Sequence, residues 1–240
     1  VIRAVSLVPS ITETLLAWGT PPAAVTRFCE APGLPTVGGT KNPDIEAIVA
    51  LEPDVVLMDK EENRAADAAA LASAGVAVLA TDVRGLDDVN PALTQLAEAV
   101  GANSDLSPLQ AWPPLQARPP LQARPPVPGR RVAVFVPIWR RPWMTVSGST
   151  YGSSILSAAG FDNVFASSPD PYPTVDLEAA AARRPEMVLA PSEPYAFKEK
   201  HRAELEAVAP VRFVDGRDVF WWGVRTAGAL ERLAALAVGA

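Results

Sequence analysis

Asn42-Pro43-Asp44-Ile45-Glu46-Ala47-Ile48-Val49-Ala50-Leu51-Glu52-Pro53-Asp54-Val55-Val56-Leu57 contains a polar cap, a helix of about two turns, a proline stop and an apolar strand. About 130 residues further on the chain repeats itself. There Pro173-Thr174-Val175-Asp176-Leu177-Glu178-Ala179-Ala180-Ala181-Ala182-Arg183-Arg184-Pro185-Glu186-Met187-Val188-Leu189 follows the same plan. Each copy places a glutamate, Glu46 or Glu178, in the first helical turn. A helix-Pro-strand unit recurring at this separation implies two similar lobes. Two lobes imply a cleft, where small ligands bind.

Outward from the first copy, Arg3-Ala4-Val5-Ser6-Leu7-Val8 has the pattern of a strand. Ser10 is placed to cap the following helix, with Glu13 three residues on as in a capping box. A short strand is expected from Val25 to Phe28, then a loop through Cys29 and Glu30, and a turn at Gly38-Gly39-Thr40-Lys41. Beyond the first copy the pattern alternates between helix and strand to about residue 100. The second half restarts with the strand Arg131-Val132-Ala133-Val134-Phe135-Val136. It continues with a short helix from Ser153, the second copy, a helix over about 198–208, a strand at Val211–Val214 and a closing helix. Alternation of this kind indicates parallel sheets flanked by helices, an α/β class.

The expected organisation is an N-terminal lobe over 1–103, a connector over 104–129 and a C-terminal lobe over 130–240. The connector carries a six-residue repeat with proline pairs at 113–114, 119–120 and 125–126. Proline costs about 3 kcal/mol inside a helix, so an irregular or kinked spacer is expected rather than a straight helix. A proline-rich recognition segment is the alternative.

At 240 residues the chain can bury one large core or two modest ones. A net charge of -6 argues against nucleic acid as a partner. One cysteine, Cys29, excludes an internal disulfide, and one histidine, His201, excludes metal sites built on several histidines. The chain starts at Val1 rather than Met, so a processed or trimmed form is expected. Without a visible leader, secreted and cytoplasmic origins stay open.

Val5-Ser6-Leu7-Val8-Pro9-Ser10-Ile11-Thr12-Glu13, the stretch 45–57 and Leu71-Ala72-Ser73-Ala74-Gly75-Val76 resemble the substrate-binding proteins of ABC importers for vitamin B12 and ferric siderophores. Leu156-Ser157-Ala158-Ala159-Gly160-Phe161-Asp162-Asn163-Val164-Phe165 and the second copy extend the likeness over nearly the whole chain outside the connector. The resemblance implies two α/β lobes with a ligand cleft between them. It also implies a single joining backbone helix, which the connector's prolines contradict. On this likeness Glu46 and Glu178 are the lobe-tip glutamates that dock onto the permease. The residue-level alternative is that each complements a helix dipole.

Ligand contacts are expected from loops at the carboxyl ends of the parallel strands. In the second lobe these loops carry Trp139, Arg140, Arg141, Trp143, Tyr172, Tyr195, Trp221, Trp222 and Arg225. In the first they carry Phe28, Glu30, Lys41, Lys60 and Glu61. Aromatic rings suit a broad flat ligand, and arginines suit an anionic one. The resemblance supports Trp139, Trp143, Tyr172 and Trp221 against the ligand. Cys29 is expected to be a buried inert thiol and His201 a surface residue.

No phosphate-loop, dinucleotide or nucleophile-elbow motif is present, so no catalytic residue and no catalytic cofactor are assigned. The reading is a monomeric receptor that captures cobalamin, a ferric siderophore or haem and delivers it to an ABC permease outside the cytoplasm. A cytoplasmic sensor or carrier on the same fold, and a carboxylate-based enzyme, are the alternatives.

Overall fold

The computed structural model describes residues 2–102 and 131–239. The connector expected over 104–129, with its proline repeat, lies outside the described residues. Those described separate into two compact units. The first holds residues 2–83, 87–102 and 222–224, and the second holds 84–86, 131–221 and 225–239. Two short stretches, 84–86 and 222–224, thus sit with the opposite half of the chain.

In chain order the first half forms β1 (Ala4–Ser6), α1 (Pro9–Ala17), β2 (Ala24–Val25), β3 (Gly38–Gly39), β4 (Asn42–Pro43) and α2 (Ile45–Ala50). Then come β5 (Val55–Asp59), α3 (Ala65–Ser73), β6 (Val78–Thr81) and α4 (Leu86–Ala99). Its sheet is parallel and ordered β2-β1-β5-β6.

The second half forms β7 (Val132–Phe135), β8 (Pro137–Trp139), β9 (Trp143–Thr145), α5 (Tyr151–Ala158), β10 (Phe161–Asn163), β11 (Thr174–Val175) and α6 (Leu177–Ala182). It continues with β12 (Met187–Pro191), a 3-10 turn at Glu199–His201, α7 (Arg202–Leu205), β13 (Val211–Val214), α8 (Gly216–Phe220) and α9 (Thr226–Val238). Its parallel sheet is ordered β10-β7-β12-β13, and β11-β9-β8 forms a small antiparallel one.

The two sheets match strand for strand, with β1, β2, β5 and β6 answering β7, β10, β12 and β13. At the repeat the match reaches single hydrogen bonds. Asp44 caps α2 by accepting from the Ala47 N–H at 3.0 Å, and Asp176 caps α6 by accepting from Ala179 at 2.6 Å. Each helix ends on a residue in the left-handed region directly before proline, Glu52 at φ 46° and Arg184 at φ 54°. One residue past each proline an acid hooks the neighbouring strand. Asp54 donates its N–H to the Arg3 carbonyl at 2.9 Å and accepts the Arg3 N–H at 2.6 Å. Glu186 does the same with Ala133, at 2.8 Å and 3.1 Å.

Core packing follows from strand alternation. In the first unit Val5, Leu7, Val56 and Met58 pack with Ile48 of α2 and Leu71 of α3. A right-handed crossover from β5 to β6 puts α3 on that face, and the opposite winding from β1 to β2 puts α1 on the other. In the second unit Phe135, Val188 and Ala190 pack with Ala180, Phe197 and Leu205. No helix among the described residues is long and apolar enough to cross a membrane.

Three local expectations need correction. Ser10 lies inside the first turn of α1, because Pro9 takes the first helical position and extended Val8 is the cap. Trp139 and Trp143 lie in β8 and β9 rather than in a loop, since Ile138-Trp139 and Trp143-Met144-Thr145 are strand formers on either side of a turn. The helix expected over 198–208 is a 3-10 turn followed by the short α7.

If the two caps support their helices equally, Asp44→Ala and Asp176→Ala should each cost about 1 kcal/mol. Glu46→Ala and Glu178→Ala should each cost less than about 1 kcal/mol. Chemical denaturation of the four variants checks the ranking.

Candidate functional site

In an open parallel sheet a ligand crevice forms beyond the carboxyl ends of the strands, where the winding reverses. In the first unit the reversal lies between β1 and β5, and Asn63 fills it. Its Oδ1 accepts the Asp59 N–H at 2.9 Å. Its Nδ2 donates to the Thr40 carbonyl at 2.9 Å and the Leu7 carbonyl at 3.4 Å. One carboxamide therefore ties the end of β1, the β3–β4 turn and the end of β5. Beside it Asp59, 2% exposed, accepts from the Thr81 hydroxyl at 2.6 Å and the Glu61 N–H at 2.9 Å. Burial raises the Asp59 pKa above the usual carboxylate value; those two bonds oppose the rise, and the charges of Glu61 and Asp82 add to it.

The expected contacts of the first unit sit around this polar plug. Lys41 Nζ donates to the Glu61 carbonyl at 2.7 Å, so those two residues come together. Lys60 pairs with Asp82 at 3.0 Å. Phe28 and Glu30 lie on the separate loop after β2, where Phe28 is 55% exposed with the Arg27 guanidinium 4.9 Å from its ring centre. Cys29, expected to be buried, is half-buried because its neighbours in the loop after β2 are exposed, and the hydroxyls of Thr12 and Thr26 lie 3.2 Å and 3.3 Å from its sulfur.

In the second unit the equivalent reversal lies between β7 and β12. Here the chain leaves β7 as the β8–β9 hairpin, and the loop after β12 packs against it. Four rings join in sequence. Trp139 meets Tyr195 edge-on at 5.6 Å, Tyr195 meets Phe197 at 4.8 Å, and Phe197 stacks on Trp143 at 6.0 Å. Trp139 is 45% exposed and Phe197 only 4%, so the row opens to solvent at its Trp139 end and reaches the core at Phe197, with Trp143 half-buried beyond it. Arg140, in the hairpin turn, donates to Glu204 at 2.8 Å. That bond chiefly, with Glu204's charge and Tyr195 adding, holds the guanidinium's pKa above its ordinary value. Arg141 is exposed at φ 71° in the same turn. Tyr172 is half-buried on the loop before β11.

Trp221 and Trp222 are closed off, at 9% and 4% exposed. Trp221 donates its indole N–H to Glu193 at 3.0 Å, with Arg225 and Arg217 at 5.3 Å and 5.9 Å from its ring. Arg225 donates to buried Asp218 at 3.1 Å, and Arg232 grips the same carboxylate through two bonds at 2.7 Å and 2.6 Å. Glu46 and Glu178 are exposed on the first turns of α2 and α6.

His201 is not a surface residue. It is 5% exposed, accepts the Lys198 N–H on Nδ1 at 3.0 Å, and has Nε2 3.4 Å from the Tyr195 hydroxyl. The turn it closes on Lys198 folds it under Tyr195 and Phe197, six and four residues earlier in the chain. Sequence reasoning also passed over Phe197, Asn63 and Asp218. The alternation Tyr195-Ala196-Phe197 is the one signal that points to Phe197.

The sequence profile described as periplasmic binding protein matches residues 5–209. The chain belongs to that family. It is 30% identical over 198 residues to the vitamin B12-binding protein of Pectobacterium carotovorum subsp. carotovorum strain PC1, an alignment covering 78% of this chain and 70% of the relative. The solved periplasmic vitamin B12 binding protein BtuF of Vibrio cholerae superposes with a TM-score of 0.77 at 22% identity, over 98% of this chain and 96% of that one. A periplasmic haem binding protein from Pseudomonas aeruginosa gives 0.80 at 21% identity, over 99% and 93%. These likenesses confirm the two-lobed α/β fold. Members of the family bind substrates and are not enzymes, so the carboxylate-enzyme alternative falls.

In this binding protein the raised Asp59 pKa carries a stability consequence. The folded chain holds the Asp59 proton more tightly than the unfolded one, so stability is lost as pH rises from the ordinary carboxylate value through the folded one. Denaturation curves across that range should show Asp59→Asn gaining on the wild type as pH increases. A constant difference would contradict it.

Proposed function

We propose that this binding protein captures a flat metal chelate, cobalamin, haem or a ferric siderophore, outside the cytoplasm and delivers it to an ABC permease. The observation that carries the reading is the exposed Trp139 ring at the head of the row Tyr195, Phe197 and Trp143. An aromatic face backed by packed rings loses little on binding and gains from stacking on a conjugated ligand. Arg141, Lys41 and Lys60 supply exposed positive charge for carboxylates or phosphate on the chelate. Tyr172 is a further candidate contact in the second unit, and Phe28 and Glu30 are candidates in the first, with Arg140, Trp221, Trp222 and Arg225 as supporting groups, of which Arg140, Trp221 and Arg225 already hold carboxylate partners. Relatives named as vitamin B12-binding proteins put cobalamin first among the ligands to try.

Delivery falls to Glu46 and Glu178, equivalent exposed acids on equivalent helices of the two units. The protein acts as a monomer, with lobes over 1–103 and 130–240.

Titration of tryptophan fluorescence with cyanocobalamin, haemin and several ferric siderophores tests the ligand. One class should quench saturably, and Trp139→Ala should weaken its binding about three- to tenfold by calorimetry. Saturable binding untouched by Trp139→Ala would move the site elsewhere. The double variant Glu46→Arg, Glu178→Arg should bind ligand normally yet fail to stimulate the permease in reconstituted membranes. Undiminished stimulation would remove the docking role.

A further inference from the structure

The chain's only histidine packs on Tyr195, the ring that carries Trp139, the most exposed tryptophan among the described residues. His201 touches Tyr195 at 5.5 Å and Phe197 at 5.7 Å between ring centres, and Tyr195 in turn carries Trp139. The Lys198 N–H can only donate, so Nδ1 must present a lone pair to it. In the neutral ring the proton is therefore on Nε2, which faces the Tyr195 hydroxyl. A second proton would have to enter at Nδ1 and break the bond to Lys198.

We propose that His201, in its neutral Nε2–H form, is the positioning residue for the aromatic platform, and that its protonation loosens Tyr195 and with it the ligand face of Trp139. The inference rests on the ligand reading only for the identity of what the platform binds. The structural part stands on the two hydrogen bonds and the ring contacts.

The charges around the imidazole favour the neutral form. Lys198 and Lys200 approach from its own turn and Arg140 from the β8–β9 hairpin; Glu204 of α7 is the opposing carboxylate and already holds Arg140. Glu199 and Arg202, on either side of the ring in the chain, pair with each other. Burial first, then the Lys200 and Arg140 charges, depress the His201 pKa below its ordinary value. An imidazolium would gain from the Tyr195 and Phe197 ring faces, but that gain opposes both desolvation and three cations. Because the folded chain resists protonation, the contribution is complete above the unfolded histidine value and is lost as pH falls through the folded one.

Having one histidine makes the test direct. In the full chain, nitrogen-15 spectra should show the Nε2–H tautomer at neutral pH and a titration midpoint below 6.5. The ring signals of Tyr195 and Trp139 should move with that midpoint without any ligand present. In His201→Gln, whose side-chain oxygen can still accept from Lys198, those ring signals should be flat across the same range. Cyanocobalamin or haemin, whichever binds, should lose about threefold or more in affinity to the wild type below the midpoint, and much less to His201→Gln. The Nδ1–H tautomer, or ring signals indifferent to the histidine titration, would overturn the proposal, and so would an affinity profile that the variant shares. If neither probe binds while the ring signals follow His201, the positioning role stands and the ligand reading fails. Should His201→Gln not fold by circular dichroism, Tyr195→Phe takes its place. Loss of the hydroxyl contact should then shift the His201 midpoint, and an unmoved midpoint would count against the coupling.

Discussion

Everything in this fold hangs on β5 and β12, the two strands buried at all five of their positions. Each is hydrogen-bonded to a parallel neighbour on both edges and covered on both faces. A strand in that position must be apolar along nearly all its length, with Asp59 the hydrogen-bonded exception at the end of β5, and must start at a fixed register, because a slip of one residue would exchange its two faces. The repeat supplies the register. Proline stops the preceding helix, and the acid after it hooks the backbone of the adjacent strand at Arg3 or Ala133. The cap and the left-handed exit before proline complete a device that holds the chain at the same point in both units. Exposed first-turn glutamates come to equivalent places as a result of that device, whatever use is then made of them.

The same scaffold ends differently in the two units. At the winding reversal of the first, Asn63 and Asp59 close the strand ends with buried polar bonds. Such a plug ties three strand and turn ends together through buried polar groups. At the reversal of the second, the insertion of β8 and β9 replaces the plug with rings graded from buried Phe197 to exposed Trp139. The ring faces make no hydrogen bonds, and the Tyr195 hydroxyl is placed against His201, so an exposed aromatic face here can meet a flat ligand without breaking a polar bond of the ring plane.

The frame was legible in the sequence because its signals are local. Caps, prolines and apolar runs lie within a few residues of one another, and the α/β alternation follows directly from them. The hairpin at 137–145 was not legible, since two three-residue strands are too short to show alternation. Nor was the burial of His201. Its environment is made by Tyr195 and Phe197 through a turn of irregular backbone, and no periodicity announces such a contact. Aromatic residues near strand ends could be named from the sequence. Which of them stand open, as Trp139 does, and which are closed, as Trp222 is, depends on packing partners that only the fold brings together.

Charge selectivity is constrained by the same packing. Arg140 and Arg225 both suit an anion by residue type, yet each is already committed to a carboxylate. A ligand that recruited Arg140 would have to replace the bond to Glu204, and exchanging one charge-assisted bond for another yields little net free energy. Asp218 is better placed to release Arg225, because Arg232 retains its two bonds to the same carboxylate and the buried charge is not stranded. Arg141 needs no exchange, being exposed in the hairpin turn next to Trp139 and Arg140. Of these arginines, Arg141 is therefore the one at which an anion would displace no ion pair formed among the described residues, and it lies in the turn that follows the open ring.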